Sequence, residues 1–348
     1  MRKSSLCIAL FAASISLFAW DSPIALPNVG EARLRIVGQN AENYHNNYVA
    51  SNKSCWDDEA FEEKTYKMAN VFNALQADII VICEAGRNDE NSLGYISNAM
   101  NMLVGKNWYT YVTDTFDPEV AATGDYQSIK TGFVYNYNKL AAIGSSFSPY
   151  YKGDYVARMR IQLFMEVSTG EYFYLSGNHF KAIDGSIDGG ESKRLTNVSY
   201  LLSTLGSLTE DPDILIMGDL NSYMGDQPIV NLEKAGYAEQ LVKYDENAYT
   251  YIFNGDKGIL DHVMANSTMA KQITGAYAFN INHNTVDASY AYADHDAVVV
   301  GLNLEAQPEA EVSHVSATIP TAHKVVINGK MYIMHNGQTY DIMGSRVE

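Results

Sequence analysis

Two short runs constrain the fold more than anything else in the chain. Asp78-Ile79-Ile80-Val81-Ile82-Cys83-Glu84 and Asp213-Ile214-Leu215-Ile216-Met217-Gly218, the second followed by Asp219, are nearly continuous in apolar residues. Runs of this length without alternation read as strands buried on both faces. Such strands need cover on each side. Residues 57–77 read as a covering helix, with Phe61, Met68, Phe72 and Leu75 on one face and Asp57 or Asp58 as its cap. Glu191 to Leu208 reads as another, and Leu93 to Val104 as a third. Further strands are predicted at 34–40, 131–135, 161–167, 172–175, 258–264 and 297–304. Strands outnumber helices and no fixed-period repeat occurs. Residues 31–305 are therefore predicted to form one body of mixed α/β (α+β) class. The chain is 47% hydrophobic, enough for a substantial core.

The ends differ from this body. Residues 1–19 begin with Arg2 and Lys3 and continue through an apolar, small-residue run to Ala19. This reads as a secretory signal peptide, since the run falls short of the ~20 residues of a spanning helix. No other segment is predicted to span a bilayer. Beyond the signal, Cys55 and Cys83 remain, and both a disulfide and a free buried thiol are compatible with the sequence. Residues 306–324 lack periodicity and read as a linker. In 325–348, Asn328-Gly329 and Asn336-Gly337 are hairpin turns between short strands. This tail resembles the C-terminal sorting tails of secreted Bacteroidetes proteins, which implies engagement with secretion machinery. A small accessory β-hairpin with no sorting role is the alternative.

The formal charge of −17 excludes a protein that grips nucleic acid by bulk positive charge. It does not exclude phosphate chemistry assisted by a cation, which reverses the local field. The sequence has no CxxC or HExxH zinc pattern, no Gly-rich phosphate loop and no GxSxG nucleophile elbow. What it has is a repeated placement. Strand-like runs end in, or contain, Asn40, Glu84, Asn178-His179, Asp219 with Asn221, and Asp261, while Asp294-His295 precedes the last strand. Each alone fits a turn or a solvated strand end. Together they fit one cleft of hard oxygen ligands and imidazoles, suited to Mg²⁺ or Mn²⁺ and a phosphate ester, with Ca²⁺ compatible with the same donors. His262 should point away from Asp261 by strand alternation. His45 and His283 read as exposed loop histidines. Trp108, Tyr109, Tyr111, Tyr290 and Tyr292 read as sheet packing rather than base-stacking residues.

The segments RIVGQNAENY, ADIIVICEA, LSGNHFKA, ILIMGDLNSY, ILDHVMAN and ADHDAVVV occur in order over residues 35–300. In this they resemble the endonuclease/exonuclease/phosphatase superfamily, which includes deoxyribonuclease I, abasic-site endonucleases and neutral sphingomyelinases. The resemblance implies a four-layer α/β/β/α sandwich with two mainly antiparallel central sheets. It also implies roles. Glu84 is matched to the principal metal carboxylate, with Asn40 and Asp294 as further metal-site residues. Asp219 and Asn221 match the pair that handles nucleophile and phosphate, and His179 a phosphate-contacting histidine. His295 matches the general base, and Asp261 the partner that orients it. Arg158, in VARMRIQLF, stands where relatives place a phosphate-contacting arginine. The chain departs from the pattern at Asp296 and Ala297, where relatives carry a small or aromatic residue and Pro. It departs again at Ser128-Ile129-Lys130, where the deoxyribonuclease I branch has a Glu. The expected protein is a secreted, monomeric, divalent-metal-dependent phosphodiesterase, extracellular, periplasmic or at the cell surface. Its expected substrate is DNA or RNA, with a lipid headgroup, an inositol phosphate or another small phosphate ester as the alternative.

Overall fold

Both apolar runs are strands, and in the computed structural model each has a parallel neighbour inside a six-stranded sheet. The residues described are 24–45, 56–86, 90, 92–113, 129–149, 158–208, 211–283 and 288–305, with the strand residues between 323 and 347. The chain divides into two compact units, Met1–Glu305 and Ala306–Glu348.

In chain order the first unit runs β1 (Leu34–Tyr44), α1 (Asp58–Ala74), β2 (Ile79–Gly86), α2 (Leu93–Val104), β3 (Tyr109–Tyr111), β4 (Ile129–Asn136), β5 (Leu140–Phe147), β6 (Met159–Glu166) and β7 (Tyr172–His179). It continues with α3 (Glu191–Leu205), β8 (Ile214–Asp219), α4 (Gln227–Lys234), β9 (Ala238–Glu239), α5 (Leu241–Tyr244), β10 (Tyr251–Phe253), β11 (Asp256–Gly258), β12 (Asp261–Ala265), β13 (Ile273–Phe279) and β14 (Ala297–Leu302). One sheet has the order β13-β14-β1-β2-β4-β3 and the other β5-β6-β7-β8-β12-β9. Each contains a single parallel pair, β1/β2 in one and β7/β8 in the other, and every other pairing is antiparallel.

The period of two explains why the two runs are apolar throughout. Ile79 and Val81 of β2 pack between the sheets with Phe133, Phe164, Phe173, Leu215 and Met217. Their alternates Ile80 and Ile82 face the other way, into a layer with Phe61, Met68 and Phe72 of α1 and Ile96 and Met100 of α2. On β8, Ile214 and Ile216 pack with Val198, Leu201 and Leu205 of α3 and with Ile229 and Leu232 of α4. The result is helices, sheet, sheet, helices, the four-layer arrangement the resemblance implies.

Local signals set the helix ends. Asp57 caps α1 by accepting from the Ala60 N–H at 2.9 Å. The helix stops at Ala74, short of the predicted 77, because Gln76 takes a left-handed φ of +56° and returns the chain to β2. No described helix is long and apolar enough to cross a membrane.

Two glycines mark close approaches near the strand ends. A Cβ on Gly177 would lie 2.8–2.9 Å from Val81, Phe133 and Thr131 of the facing sheet. Gly218 adopts φ +120°, and a Cβ there would sit 2.2 Å from the Asn178 carbonyl oxygen. Only glycine lets β7 and β8 remain paired this close to Asp219.

The second unit is a four-stranded antiparallel sheet: β15 (His323–Ile327), β16 (Lys330–His335), β17 (Gln338–Asp341) and β18 (Arg346–Val347). β15 begins inside the 306–324 stretch that reads as linker. The signal-like residues 1–19, the turns Asn328-Gly329 and Asn336-Gly337, and Cys55 lie outside the described residues.

Candidate active site

The two parallel pairs bring their C-terminal ends to one edge of the sandwich. In register, Asn40 of β1 is paired with Cys83, next to Glu84, and His179 of β7 is paired with Asp219 of β8. β12 is antiparallel to β8 and sets its first residue, Asp261, opposite Asp219. β14 is antiparallel to β1 and starts at Ala297, directly after the 294–296 segment. Backbone strain collects at this edge. Of the six described non-glycine residues with positive φ, four are Glu42 (+47°), Asn43 (+52°), Glu84 (+59°) and Asn221 (+47°). Such conformations persist only where surrounding contacts enforce them, which is common at functional sites.

The Oδ2 atom of Asp219 is the hub. It accepts from Asn40 Nδ2 at 2.9 Å and from Asn221 Nδ2 at 3.0 Å. The Nε2 atoms of His179 and His295 lie 3.8 and 3.9 Å from it. Glu84 joins through Asn40, whose Nδ2 also donates to Glu84 Oε1 at 3.2 Å, and through His179 Nε2 at 3.6 Å. The Asn43 N–H donates to Glu84 Oε2 at 2.7 Å, a contact made by the strained turn. His295 Nδ1 is bonded to Asp261 Oδ2 at 2.7 Å, which fixes the ring and aims Nε2 at the hub.

The structure thus gathers Asn40, Glu84, His179, Asp219, Asn221, Asp261 and His295 into one cluster. Asn40, expected at the metal site, turns its amide NH₂ to both carboxylates and uses its oxygen to accept the Glu42 N–H at 3.1 Å. It thereby ties the two carboxylates together. Asp294 is exposed at the rim and acts on the cluster through its charge. Among the described residues, ligand-type atoms of Asp219, Asp261 and His295 lie within 4.8 Å of one another. Arg158 is buried, and its Nη1 donates to the carbonyls of His179 and Phe180 at 3.5 and 3.3 Å, so it anchors the segment that carries His179.

Burial shapes the electrostatics. It pushes the Asp219 carboxyl up, and nearby Asp261 adds to this, against the opposing pull of His295 and His179. For His295, burial opposes the charged ring, but the charges of Asp261 and Asp219, the hydrogen bond to Asp261 and the charge of Asp294 outweigh it. Its pKa is pushed up to about 10. A histidine whose folded pKa lies above the unfolded value of ~6.5 adds stability that is complete below that value. The contribution is lost as pH rises through the folded value of about 10. Metal-free protein should therefore lose melting temperature across this window, and His295→Gln should flatten the loss. Parallel melting curves against pH for the two proteins would refute the assignment.

Cys83 is a free, buried thiol that donates to the Asn178 carbonyl at 3.0 Å. His262 points away from the cluster, bonding Glu239 and the Ser222 carbonyl at 2.7 and 2.8 Å. The reading of His45 and His283 as exposed loop residues is corrected. His45 is buried, and His283 is half-buried and bonded to the fully buried Asp296 at 2.8 Å. Tyr251 was not singled out from the sequence, yet its ring lies 4.6 Å from that of His295. Lys64 was missed too. It is buried over the Trp56 ring, bonds the Tyr292 carbonyl and lies 3.5 Å from Glu42, joining α1 to the turn at Glu42 and to the segment at Tyr292. Asp296, an acidic residue at the mouth of an apolar strand, was the sequence signal for its partner His283; Tyr251 and Lys64 had none.

A model of the family described as Endonuclease/Exonuclease/phosphatase matches residues 59–295. Among solved structures, the human Nocturnin catalytic domain with bound sulfate anion aligns at 14% identity and TM-score 0.53, over 78% of this chain and 94% of that one. D. rerio TDP2 complexed with single strand DNA product aligns at 13% identity and TM-score 0.54, over 78% and 99% of the respective chains. A Bacteroides thetaiotaomicron mannosyl-6-phosphatase aligns at 15% and 0.54, over 78% and 100%. At these identities the likeness is one of fold. No curated protein matches the sequence.

Proposed function

The chain belongs to the Endonuclease/Exonuclease/phosphatase family, whose members are phosphoesterases and nucleases, and on that premise we propose that it is a divalent-metal-dependent phosphodiesterase acting on DNA or RNA. The observation that carries the reading is the convergence on Asp219 Oδ2 of two amides and two imidazoles, one of them backed by Asp261.

The donor set suits a hard cation such as Mg²⁺ or Mn²⁺. The groups assigned to it, Glu84 and Asp219, offer carboxylate oxygens, and the cluster also holds Asp261 Oδ1, buried without a hydrogen-bond partner among the described residues. Glu84 and Asp219 would hold the ion, with Asp294 adding charge at the rim. When bound, such an ion polarises a phosphate oxygen and offsets developing negative charge. The remaining tasks fall to the chain itself. His295 takes the proton of the attacking water at Nε2, and Asp261 holds its Nδ1–H and stabilises the imidazolium formed. A cation held at Asp219 would offset the negative charge of Asp219 and Asp261 around His295 and so favour the ring as a base. Asn221 and Asp219 orient the water. His179 donates to a phosphate oxygen, on a segment steadied by Arg158. Export is part of the proposal and rests on residues 1–19 and 325–348.

One observation favours a second reading. A net charge of −17 repels a polyanion more than it repels a small phosphate ester. The protein is therefore to be incubated with plasmid DNA, RNA, sphingomyelin and a panel of phosphomonoesters, with Mg²⁺ and with EDTA. Metal-dependent cleavage of a polynucleotide is the expected result. Release of phosphate from monoesters with both polynucleotides intact would replace the nuclease reading with the second one.

A further inference from the structure

Asp296 stands where the chain departs from the family pattern, and the structure gives this residue a specific task. Its carboxylate is fully buried and accepts four hydrogen bonds: Asn282 N–H at 2.8 Å, His283 N–H at 3.1 Å, Asn280 Nδ2 at 2.9 Å and His283 Nδ1 at 2.8 Å. Residues 280–283 are folded around it. The same network reaches the segment before β10. Asn280 Nδ2 donates to the Tyr249 carbonyl at 2.7 Å, and the Asp296 N–H donates to that of Thr250 at 2.8 Å. Thr250 Oγ1 in turn accepts the N–H groups of Leu260 and Asp261, each at 3.0 Å. His283 is thereby joined to the backbone of Asp261, the residue that holds His295.

The rings are placed alike. The Tyr251 ring lies 4.6 Å from that of His295 and 6.2 Å, edge-on, from that of His283. Two imidazole–carboxylate pairs, His295–Asp261 and His283–Asp296, thus adjoin one tyrosine. The His283 Nδ1 is spent on Asp296, and its Nε2 has no hydrogen bond among the described residues. The side chain is 17% exposed, so the ring is held firmly and still reachable. Lys257 lies over the Tyr249 ring at 3.9 Å and brings a cationic group to this part of an otherwise acidic chain.

We propose that His283, clamped by Asp296 one ring beyond His295, is a substrate-contacting residue of a second phosphate subsite, its Nε2 taking an oxygen of the phosphate group adjoining the one hydrolysed. An imidazolium that bridges Asp296 and a phosphate donates from both nitrogens, as this geometry allows. The inference rests on the phosphodiesterase reading and specifies it: preferred substrates carry at least two phosphates in sequence.

Two substitutions separate this role from a structural one. His283→Asn keeps a donor at the position of Nδ1, for Asp296, and deletes Nε2. His283→Gln places its amide near the position of Nε2. Each protein is given a dinucleotide and the same dinucleotide with an additional terminal phosphate. In the wild type the added phosphate should lower KM about tenfold, the worth of one charge-assisted hydrogen bond. That ratio should collapse toward one in His283→Asn and be largely restored in His283→Gln. A ratio retained in His283→Asn overturns the proposal, whether the rates are unchanged or fall equally on both substrates. If the wild type cleaves neither dinucleotide, the nuclease reading fails while the subsite stays testable. Binding of a nucleoside 3′,5′-bisphosphate, a hexose bisphosphate and the matching monophosphates, followed by calorimetry, then decides. An equal bisphosphate preference in wild type and His283→Asn would reject the subsite. The ligand bound more tightly shows whether the second phosphate belongs to a polynucleotide or to a small ester.

Discussion

His295→Ala is expected to lower phosphodiester hydrolysis by at least about 10²–10⁴-fold, the usual cost of losing a positioned general base. The size of the effect follows from how completely the ring is committed. Nδ1 is bonded to Asp261 at 2.7 Å, Nε2 faces Asp219 Oδ2 at 3.9 Å, and Tyr251 packs against the ring. Among the described residues, the other imidazole near Asp219 is His179, which is tied to the opposite side of the cluster near Glu84 and is not backed by Asp261. Removing the ring also leaves Asp261 buried without its partner, which destabilises the fold. His295→Gln, which keeps a polar group near Asp261, should be as inactive as the alanine variant while melting closer to the wild type. The check is the single-turnover rate on a cleaved substrate, with melting temperature recorded for each variant. Turnover within a few-fold of the wild type by folded His295→Ala would remove His295 from the reaction.

Much of this site was legible because the groups that form it end strands whose apolar runs are themselves legible. The runs at 78–84 and 213–219 announce two-sided burial, and β2 and β8 use both faces. Helix α2 spans Leu93–Val104 as predicted, because Gly105 at φ +64° ends it by local geometry. Elements without a local signal were missed. β5 reads LAAIGSSF, small and partly polar, and as an edge strand with a register shift between Ile143 and Phe147 it need not alternate. β13 reads ITGAYAF, where Gly275 and Ala276 mask the period. The β10–β11 hairpin is three residues per strand and carries Tyr251 to His295 through long-range contacts, among them the Asp296 N–H to the Thr250 carbonyl. The same physics hid Lys64, His283 and the bridging amide of Asn40. A residue type and its position reveal that a polar group is present. Which atom it turns toward which partner is decided by contacts more than a hundred residues apart, such as Asn40 with Asp219.

Glu84→Gln, and removal of divalent metal from the wild type, should each abolish most activity, and the two effects should share one cause. Glu84 holds a left-handed φ of +59°, and its carboxylate is oriented by the Asn43 N–H at 2.7 Å and Asn40 Nδ2 at 3.2 Å. Glutamine has nearly the same shape, so the fold should survive, but it brings no negative charge and can turn an NH₂ toward those donors. A hard cation loses one of its anionic ligands, and its affinity falls. Hydrolysis by Glu84→Gln should drop at least about 10²-fold at a metal concentration that saturates the wild type, a loss on the scale of removing a metal ligand or its support. Part of it should return when the metal concentration is raised. Binding is read separately from catalysis by thermal melting. A ligand at a hundredfold its dissociation constant stabilises the folded state by about 2.7 kcal/mol. Mg²⁺ or Mn²⁺ should therefore raise the wild-type melting temperature by several degrees and that of Glu84→Gln by much less at the same concentration. Wild-type hydrolysis that persists in EDTA, or an equal metal-induced shift in both proteins, would take the ion away from Glu84 and the chemistry proposed around it.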